Sequence, residues 1–191
     1  MPIENKKTWI FTDAFITLKL RNKKMIEKTE FVLIRHGETL ANKEAILQGQ
    51  SESALSEEGL EQAKLLAKRL QYHPPFDHIF SSDLTRCMIT AQCTVDLIGG
   101  EIIAAKELRE WDFGELEGRK RDELIKEYPE VMNFFINSHQ EIIVPGGEKR
   151  SELESRIKNY FTYLAKEYTG KRLLVFSHGG ALRSLFRFIV G

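Results

Sequence analysis

Two short apolar runs, at 31–34 and 173–176, constrain the fold of this 191-residue chain more than any other feature. Each run stops within two residues at a histidine followed by glycine, His36-Gly37 in one case and His178-Gly179 in the other. Four consecutive apolar residues that end in polar residues and glycine are typical of a strand buried on both faces. Such strands belong to parallel sheets covered by helices, whose carboxyl ends form the ligand crevice. The sequence therefore predicts two central strands that each bring a histidine to one sheet edge.

The rest of the chain alternates between helical and strand patterns. Helices are predicted over 56–71, 83–98 and 148–168 and again after Gly180, with further strands over 78–82 and 101–105. Ser56 and Asp83 are the predicted N-caps of the first two helices, and Leu60 belongs to the predicted buried stripe of the first. This alternation predicts a three-layer α/β/α fold with a mainly parallel sheet flanked by helices.

The first thirty residues differ from the remainder in composition and pattern. They contain seven Lys/Arg against four Asp/Glu and show no clear periodicity. We therefore treat 1–30 as an N-terminal extension, expected to be flexible, and 31–191 as the domain. Met25 lies just ahead of the first convincing strand, which also raises the hypothesis that residues 1–24 reflect the choice of start codon.

The composition limits the binding partners and the cellular environment that we expect for this protein. The net charge is zero, so nothing global favours a nucleic acid or an acidic membrane surface as partner, and an anion site must come from local clustering. Cys87 and Cys93 are six residues apart in one predicted helix and cannot form a disulfide with each other there. No segment reads as a signal peptide or a membrane span. We expect a protein of the reducing cytoplasm.

The predicted sheet edge collects groups that suit phosphate chemistry. Arg35 precedes the first histidine, and Arg86 lies in the first turn of the helix that follows the strand ending at 81–82. Guanidinium groups and helix N-termini both bind oxyanions, and a neutral imidazole can attack phosphorus. One histidine alone would more often be structural, but two at equivalent strand ends reverse that expectation.

These residues occur within an ordered set of motifs that resembles the histidine phosphatase superfamily, in its phosphoglycerate-mutase-like branch. The set covers about four-fifths of the chain, from 31 to about 187. Its segments are Arg35-His36-Gly37-Glu38-Thr39, Asn42, Gln48-Gly49, 55–59, 81–86, 108–118, 145–148 and Ser177-His178-Gly179-Gly180. No single motif is specific to this family, whereas the order in which all of them occur along the chain is.

The resemblance implies a role for each matching residue. His36 would be the nucleophile that becomes phosphohistidine, and Glu110 the proton donor. Arg35, Arg86 and His178 would bind the phosphoryl oxygens. Additional substrate contacts would come from Asn42, Gln48, Gly49 and Gly179. No cofactor and no metal are implied, and the expected partner is a small phosphorylated metabolite.

One departure from the family pattern, and two features that distinguish phosphatases from mutases within the family, bear on these expectations. The chain ends at Gly191, where the family usually continues into a further strand or hairpin at the sheet edge. We expect that edge to be less stable, or covered by the N-terminal extension or by a second subunit in a homodimer. Phe113 stands where mutases prefer tyrosine, and only 34 residues separate Glu110 from Pro145.

These features favour a phosphomonoesterase. A phosphoglycerate mutase and a non-catalytic phosphate-binding or regulatory protein remain the alternatives. Sugar phosphates, phosphoglycerate, ribazole phosphate and fructose 2,6-bisphosphate all fit a site defined mainly by phosphate. Arg109 and residues 119–121 are expected on a solvated face, with contact of Arg121 or Lys120 to a second anionic group as the alternative.

Overall fold

A computed structural model describes residues 10–12, 15–21, 28–132 and 141–190 of the chain. They form one six-stranded sheet with helices on both faces, in the strand order β1-β2-β3-β6-β4-β5. The strands are β1 (Ile10–Thr12), β2 (Phe15–Arg21), β3 (Lys28–Arg35), β4 (His78–Ser81), β5 (Ile102–Ala104) and β6 (Arg172–Ser177). The last four strands of this order are mutually parallel, which confirms the mainly parallel three-layer fold.

Seven helices complete the described part of the chain. They are α1 (Leu40–Lys43), α2 (Glu57–Leu70), α3 (Thr85–Ile98), α4 (Arg121–Glu127), α5 (Pro129–Met132), α6 (Arg150–Glu167) and α7 (Gly179–Val190). Short 3-10 turns at Lys106–Leu108 and Gly114–Leu116 lie in the long connection after β5. The predicted helix and strand boundaries agree with these to within a few residues.

Side chains along each strand alternate between the two faces of the sheet, and the hydrophobic core therefore has two layers. Phe31 and Leu33 of β3 face a large cluster built with α6 and α7, whereas Val32 and Ile34 face a second cluster built with α2 and α3. All four side chains are almost completely buried. Burying each such side chain contributes about 1.5–3 kcal/mol. The unbroken apolar run of β3 is thus a direct consequence of helices covering both faces of the sheet.

The N-terminal strands extend the sheet beyond β3. Strand β2 pairs antiparallel with β3 along its whole length, from Phe15 opposite Ile34 to Arg21 opposite Lys28, and β1 pairs with β2. Both strands lie inside the segment 1–30 that we treated as an extension, so the sheet crosses the boundary at residue 31. Residues 1–9, 13–14, 22–27, 133–140 and 191 lie outside the described residues, and the flexibility of the extension stays a prediction.

Two local predictions about helices are wrong. Leu60 is 38% exposed, because the buried face of α2 runs instead through Gly59, Ala63 and Leu66. Asp83 does not cap α3, whose N-cap is Leu84 without a side-chain hydrogen bond. By contrast, Ser56 caps α2 as predicted, accepting a hydrogen bond from the Gly59 amide at 3.0 Å.

Asp83 has a different partner, Arg109, which was expected on a solvated face. The Arg109 guanidinium donates to both Asp83 carboxylate oxygens, at 2.7 and 2.6 Å. This bidentate contact lowers the pKa of Asp83. This ion pair connects the loop after β5 to the segment just before α3. The spacing of the two residues in the sequence does not indicate such a contact.

Candidate functional site

Three parallel strands end side by side and bring the predicted residues to one edge. In the register of the sheet, Arg35 of β3 lies opposite Ser177 of β6, and Ser81 of β4 lies opposite Phe176. The residues that follow each strand therefore enter the same region, as parallel strands require. The imidazole rings of His36 and His178 lie with their centroids 5.1 Å apart. The predicted convergence of the two histidines is present in the structure.

His36 is held as a neutral imidazole with a defined tautomer. Its side chain is buried, with the whole residue 8% exposed, and Nδ1 lies 2.7 Å from the carbonyl oxygen of Gly37. A carbonyl only accepts, so Nδ1 carries the proton and Nε2 keeps its lone pair. Burial, together with the charges of Arg86 and Arg35, lowers the pKa of His36 to about 3. A neutral imidazole with an available Nε2 lone pair is the form that can attack phosphorus.

The peptide that follows His36 is fixed by a threonine on α3. The Gly37 amide donates to Thr90 Oγ1 at 3.2 Å, and this hydroxyl in turn donates to the Arg86 carbonyl at 2.7 Å. Thr90 is buried. Because the Gly37 carbonyl sets the His36 tautomer, Thr90 links the turn that carries Arg86 to the orientation of His36.

Gly37 of the first motif and Gly59 of the 55–59 segment lie where two backbone segments come very close together, which explains why both positions are glycine. A Cβ atom on Gly37 would lie 2.3 Å from the Gly59 carbonyl oxygen, and one on Gly59 would lie 1.9 Å from the Glu38 carbonyl oxygen. The loop after β3 therefore packs directly on the first turn of α2. Glu38 accepts a hydrogen bond from Ser56 Oγ at 2.7 Å, which gives this carboxylate a structural partner.

His178 is enclosed more completely than His36. It is 0% exposed, its Nδ1 lies 3.3 Å from Arg86 Nε, and its Nε2 lies 2.8 Å from Ser82 Oγ. Since the guanidinium nitrogen can only donate, Nδ1 accepts and Nε2 carries the proton. Burial and then the charge of Arg86 lower the pKa of His178 well below its usual value. The ring is thus neutral, with the tautomer opposite to that of His36.

Cys87 packs against the same ring and is a buried thiol. Its sulfur lies 3.4 Å from His178 Nε2 and 3.3 Å from the Ser177 carbonyl oxygen. Burial raises the pKa of Cys87 despite the nearby Arg86 charge, so the thiol stays protonated. The prediction that Cys87 serves as a small buried group is confirmed, and both Cys87 and Cys93 are free cysteines.

Arg86 lies at the base of the site and is tied to three neighbours. The residue is 1% exposed. Besides its contact with His178, it donates through its two terminal nitrogens to the carbonyls of Ser51 and Gly49. Each terminal nitrogen has a second N–H, so a bound oxyanion can still be contacted. These bonds fix the guanidinium and, with it, the 48–51 loop.

Glu110 is fixed at the amino end of α7. Its two carboxylate oxygens accept hydrogen bonds from the amides of Gly180 at 2.8 Å, Ala181 at 3.0 Å and Trp111 at 2.9 Å. A Cβ atom on Gly180 would lie 2.3 Å from Glu110 Oε1, so glycine at this position makes the contact possible. The helix that starts at the second His-Gly motif therefore positions the predicted proton donor.

The remaining predicted contacts lie in the loop beside this centre. Asn42 Oδ1 accepts from the Thr39 amide in the capping box of α1, which leaves its amide nitrogen to donate to a ligand. Gln48 Oε1 accepts from Thr39 Oγ1 at 2.9 Å, and Gly49 contributes its carbonyl to Arg86. In the structure these residues therefore build the loop beside the site, and none of the three lines the cavity described below.

A cavity of about 300 Å³ opens at this edge. Arg35, Glu110 and Gly179 line it, as the sequence predicted, together with the guanidinium-bearing residues Arg121 and Arg183. Arg183 was not predicted, because on α7 it reads as one charge in an apolar helix. A larger cavity of about 540 Å³ lies around Pro74 and Gly100 and contains none of the predicted site residues.

Other contributors were also missed by sequence reasoning. Glu117 accepts hydrogen bonds from the amides of Gln50 and Ser51, both at 2.7 Å, and so holds the loop that Arg86 contacts. Ser82 lies within the 81–86 motif but was assigned no role, and Thr90 lies outside the motifs, because a single hydroxyl carries no spacing signal. Across the described residues, no three His, Cys, Asp or Glu side chains are grouped so that they could hold a metal ion. None of the helices described has the length and apolarity that crossing a bilayer requires.

Comparisons with known proteins give matches over most of the chain. The model of the histidine phosphatase superfamily (branch 1) matches residues 31–191. The metal-independent phosphoserine phosphatase of Arabidopsis thaliana is 37% identical over 162 residues, which span 84% of this chain and 68% of that protein. Phosphoglycerate mutase-like protein 4 of the same plant is 33% identical over 163 residues, or 84% of this chain and 71% of that one.

A solved structure with a similar fold is the alpha-ribazole phosphatase from Shigella flexneri. It superposes with a TM-score of 0.73 at 30% sequence identity, covering 84% of this chain and 79% of that chain. The comparisons thus include proteins named for phosphatase and for mutase activity.

Proposed function

Because the chain belongs to the histidine phosphatase superfamily (branch 1), we propose that it is a metal-independent phosphomonoesterase. Its substrate would be a small phosphorylated metabolite, hydrolysed through a phosphohistidine at His36. The observation that carries the proposal is the state of His36, which is buried, neutral and fixed with its proton on Nδ1. The second imidazole and Arg86 lie beside it, where a phosphoryl group would need positive and hydrogen-bonding partners.

In the first half-reaction, His36 Nε2 attacks the phosphorus and the new N–P bond replaces the P–O bond to the alcohol. Arg35 and Arg86 stabilise the equatorial oxygens of the transferring group, while His178, whose ring nitrogens contact Arg86 and Ser82, positions the Arg86 guanidinium. Glu110, in its acid form, gives its proton to the departing ester oxygen, which leaves as an alcohol. The hydrogen bonds from α7 hold this carboxyl group at the cavity wall, as proton transfer to a bound ester requires.

In the second half-reaction, water attacks the phosphorus while Glu110 takes a proton from it. The N–P bond breaks, its electron pair returns to Nε2, and inorganic phosphate is released. Since the carboxyl group gives one proton and regains one, the cycle closes without another reactant.

The proposal is tested by trapping the intermediate. The protein is incubated with 32P-labelled phosphate esters, quenched, and assayed for an acid-labile, base-stable phosphoryl group, alongside the release of phosphate. We expect labelling and turnover in the wild type and neither in His36→Asn. His73→Asn is the matched control, because His73 lies in the loop after α2, away from the candidate site, and should keep both signals.

The alternatives give different results in the same experiment. Interconversion of 2- and 3-phosphoglycerate faster than hydrolysis would favour a mutase. If no ester is turned over, no label is trapped, and His36→Asn behaves as the wild type, the enzyme proposal fails and a phosphate-binding or regulatory protein is favoured.

A further inference from the structure

Glu117 is a partly buried carboxylate that binds three backbone amides close to the candidate site. One of its oxygens accepts hydrogen bonds from the Gln50 amide at 2.7 Å and the Phe113 amide at 3.1 Å. The other oxygen accepts from the Ser51 amide at 2.7 Å. Hydrogen bonds from amides to an ionised carboxylate are stronger than those between neutral groups. Glu117 therefore holds the 48–51 loop against the connection that follows β5.

Arg86 binds the same loop through its carbonyl groups. Its two terminal nitrogens donate to the carbonyl of Ser51 at 2.9 Å and to that of Gly49. Ser51 thus donates through its amide to Glu117 and accepts through its carbonyl from Arg86. Because the guanidinium is fixed to the loop at two points, its position depends on where Glu117 holds that loop.

The backbone at Gly49 leaves room for the Glu117 carboxylate. Gly49 has a φ of +57°, in the left-handed region that favours glycine. A Cβ atom at this position would lie 1.9 Å from Glu117 Oε1. The glycine of the Gln48-Gly49 motif therefore allows the carboxylate to approach the loop, and its carbonyl is one of the two that Arg86 binds.

Glu117 also acts on Arg86 through its charge. Burial lowers the pKa of Arg86, and the negative charge of Glu117 is one of several interactions that oppose this effect. A buried charge is costly unless opposite charge or hydrogen bonds compensate it. In the proposed reaction, Arg86 must be charged to stabilise the phosphoryl oxygens. Glu117 thus favours the form of the guanidinium that the reaction requires.

We propose that Glu117 is a positioning residue for phosphoryl transfer, which holds the 48–51 loop so that Arg86 is fixed where the transferring group binds. Glu117 is not among the described residues that line the cavity, so its action is assigned to Arg86 and not to a contact with the substrate. The inference rests on the proposed phosphatase function for its reaction and deepens it by naming a residue on which binding of the phosphoryl group depends.

Substitution by the isosteric amide tests this role. Glu117→Gln removes the charge and places an NH2 group among the three amide donors, so the side chain cannot accept all three hydrogen bonds. We expect kcat/KM to fall by about 10- to 100-fold, the range for hydrogen bonds to a charged group. The factor should be similar for 4-nitrophenyl phosphate and glycerol 3-phosphate, because both contain the phosphoryl oxygens that Arg86 serves.

The two esters differ in how much they need the proton donor. Nitrophenolate leaves readily without a proton, whereas the alkoxide of glycerol does not. A loss confined to glycerol 3-phosphate would show that Glu117 acts through Glu110 and would overturn the proposal.

Glu115→Gln is the matched control. Glu115 lies two residues away in the 3-10 turn Gly114–Leu116, and it is exposed. This variant removes the same charge from the same segment, and its kcat/KM should stay within about twofold of the wild type, as for other surface substitutions. An equal loss in the Glu115 and Glu117 variants would show that net charge, and not the hold on the loop, sets the activity. That result would overturn the proposal.

Binding of inorganic phosphate separates this inference from the proposed function, because it needs no turnover. Calorimetric titration measures the affinity in the wild type, in each single variant and in the double variant with Arg86→Lys. Glu117→Gln should weaken binding about tenfold in the wild-type background and less than about twofold in the Arg86→Lys background, since residues that act through one another are not additive. Equal losses in both backgrounds would overturn the proposal, whether or not the protein hydrolyses esters.

Hydrogen exchange on the unsubstituted protein tests the same contact if Glu117→Gln does not fold. The amides of Gln50 and Ser51 lie outside the helices and strands of the described structure, so slow exchange there reports their bonds to Glu117. We expect exchange at least about tenfold slower than in an unstructured peptide. Exchange at the rate of an unstructured peptide would overturn the proposal.

Discussion

The two His-Gly motifs look alike in sequence and differ in the structure. His36 follows β3 with one ring nitrogen bound to a carbonyl and the other left with a lone pair. His178 follows the neighbouring parallel strand β6 and has both ring nitrogens bound, by Arg86 and by Ser82. The same local pattern thus yields one imidazole available for chemistry and one that is held in place. The difference comes from α3. Its residues Arg86 and Cys87 contact the His178 ring, whereas its Thr90 accepts a hydrogen bond from the Gly37 amide and so fixes the peptide that orients His36.

The largest expected effect contrasts substitutions at the two histidines. His36→Asn should reduce turnover by about a thousandfold or more while changing the free energy of unfolding by less than about 1 kcal/mol. His178→Ala should reduce turnover by about a hundredfold and also destabilise the fold by about 2–4 kcal/mol, since it opens a cavity and leaves Arg86 Nε without its partner. Urea unfolding and steady-state assays on both variants measure the contrast. Equal destabilisation by the two substitutions would contradict it.

The pH dependence of stability sharpens the comparison. Folding lowers the pKa of His36 to about 3. Between about pH 6.5 and pH 3 the unfolded chain therefore binds a proton that the native protein does not, and stability falls as the pH falls. The contribution of this residue approaches about 1.4 kcal/mol per pH unit in that window.

Comparison of wild type and His36→Asn by urea unfolding from pH 7 to pH 4.5 isolates this contribution. The lowered pKa values of Asp77 and Asp83 place their effect below that range. The slope for His36→Asn should be shallower. Parallel slopes would show that His36 is protonated in the native protein near its ordinary pKa.

Two threonines one turn apart on α3 test whether the Thr90 hydroxyl holds His36 in its orientation through Gly37. Thr90→Val leaves the buried Gly37 amide without an acceptor and should cost about 1–3 kcal/mol together with a several-fold loss of kcat. Thr94→Val is the matched control, because Thr94 Oγ1 is buried with no hydrogen-bond partner in the described structure, and should be neutral or stabilising. Thr90→Ser should restore kcat. A failure of this rescue would argue that Thr90 acts by packing alone.

Two adjacent buried serines test whether the contact of Ser82 with His178 matters for activity. The expected changes in stability and in kcat are the smallest of the four predictions. Ser81→Ala removes one hydrogen bond, to the Ser82 carbonyl, and should cost about 1 kcal/mol. Ser82→Ala removes the contacts of its hydroxyl with His178 Nε2 and with the Leu84 amide, and should cost about 1–2 kcal/mol. Only Ser82 contacts His178, so only its loss should lower kcat. Nitrogen-15 shifts of the imidazoles report the tautomers directly, with the proton on Nδ1 in His36 and on Nε2 in His178. The same tautomer in both rings would contradict the structure.

The sequence by itself determined the parallel part of the sheet and the identity of the residues at its edge, but not the two N-terminal strands. Buried parallel strands need unbroken apolar runs, and helices need periodic stripes and caps, so β3, β6 and α2 follow from local pattern. The order of the motifs, compared with that of the family, predicts that Arg35, His36, Arg86 and His178 lie together.

Only the tertiary structure decided how those residues are held and what else faces them. The ion pair of Asp83 with Arg109, the caps on Glu110 and the Thr90 support all join positions far apart in the chain. Arg183 reads as an ordinary helical charge until the fold brings it to the cavity that Arg35 and Glu110 line. Contacts of this kind depend on the packing of whole elements, and a single hydroxyl or guanidinium leaves no periodic trace in sequence. The protonation states of the two histidines follow from the same packing, because burial and neighbouring guanidinium charge set them.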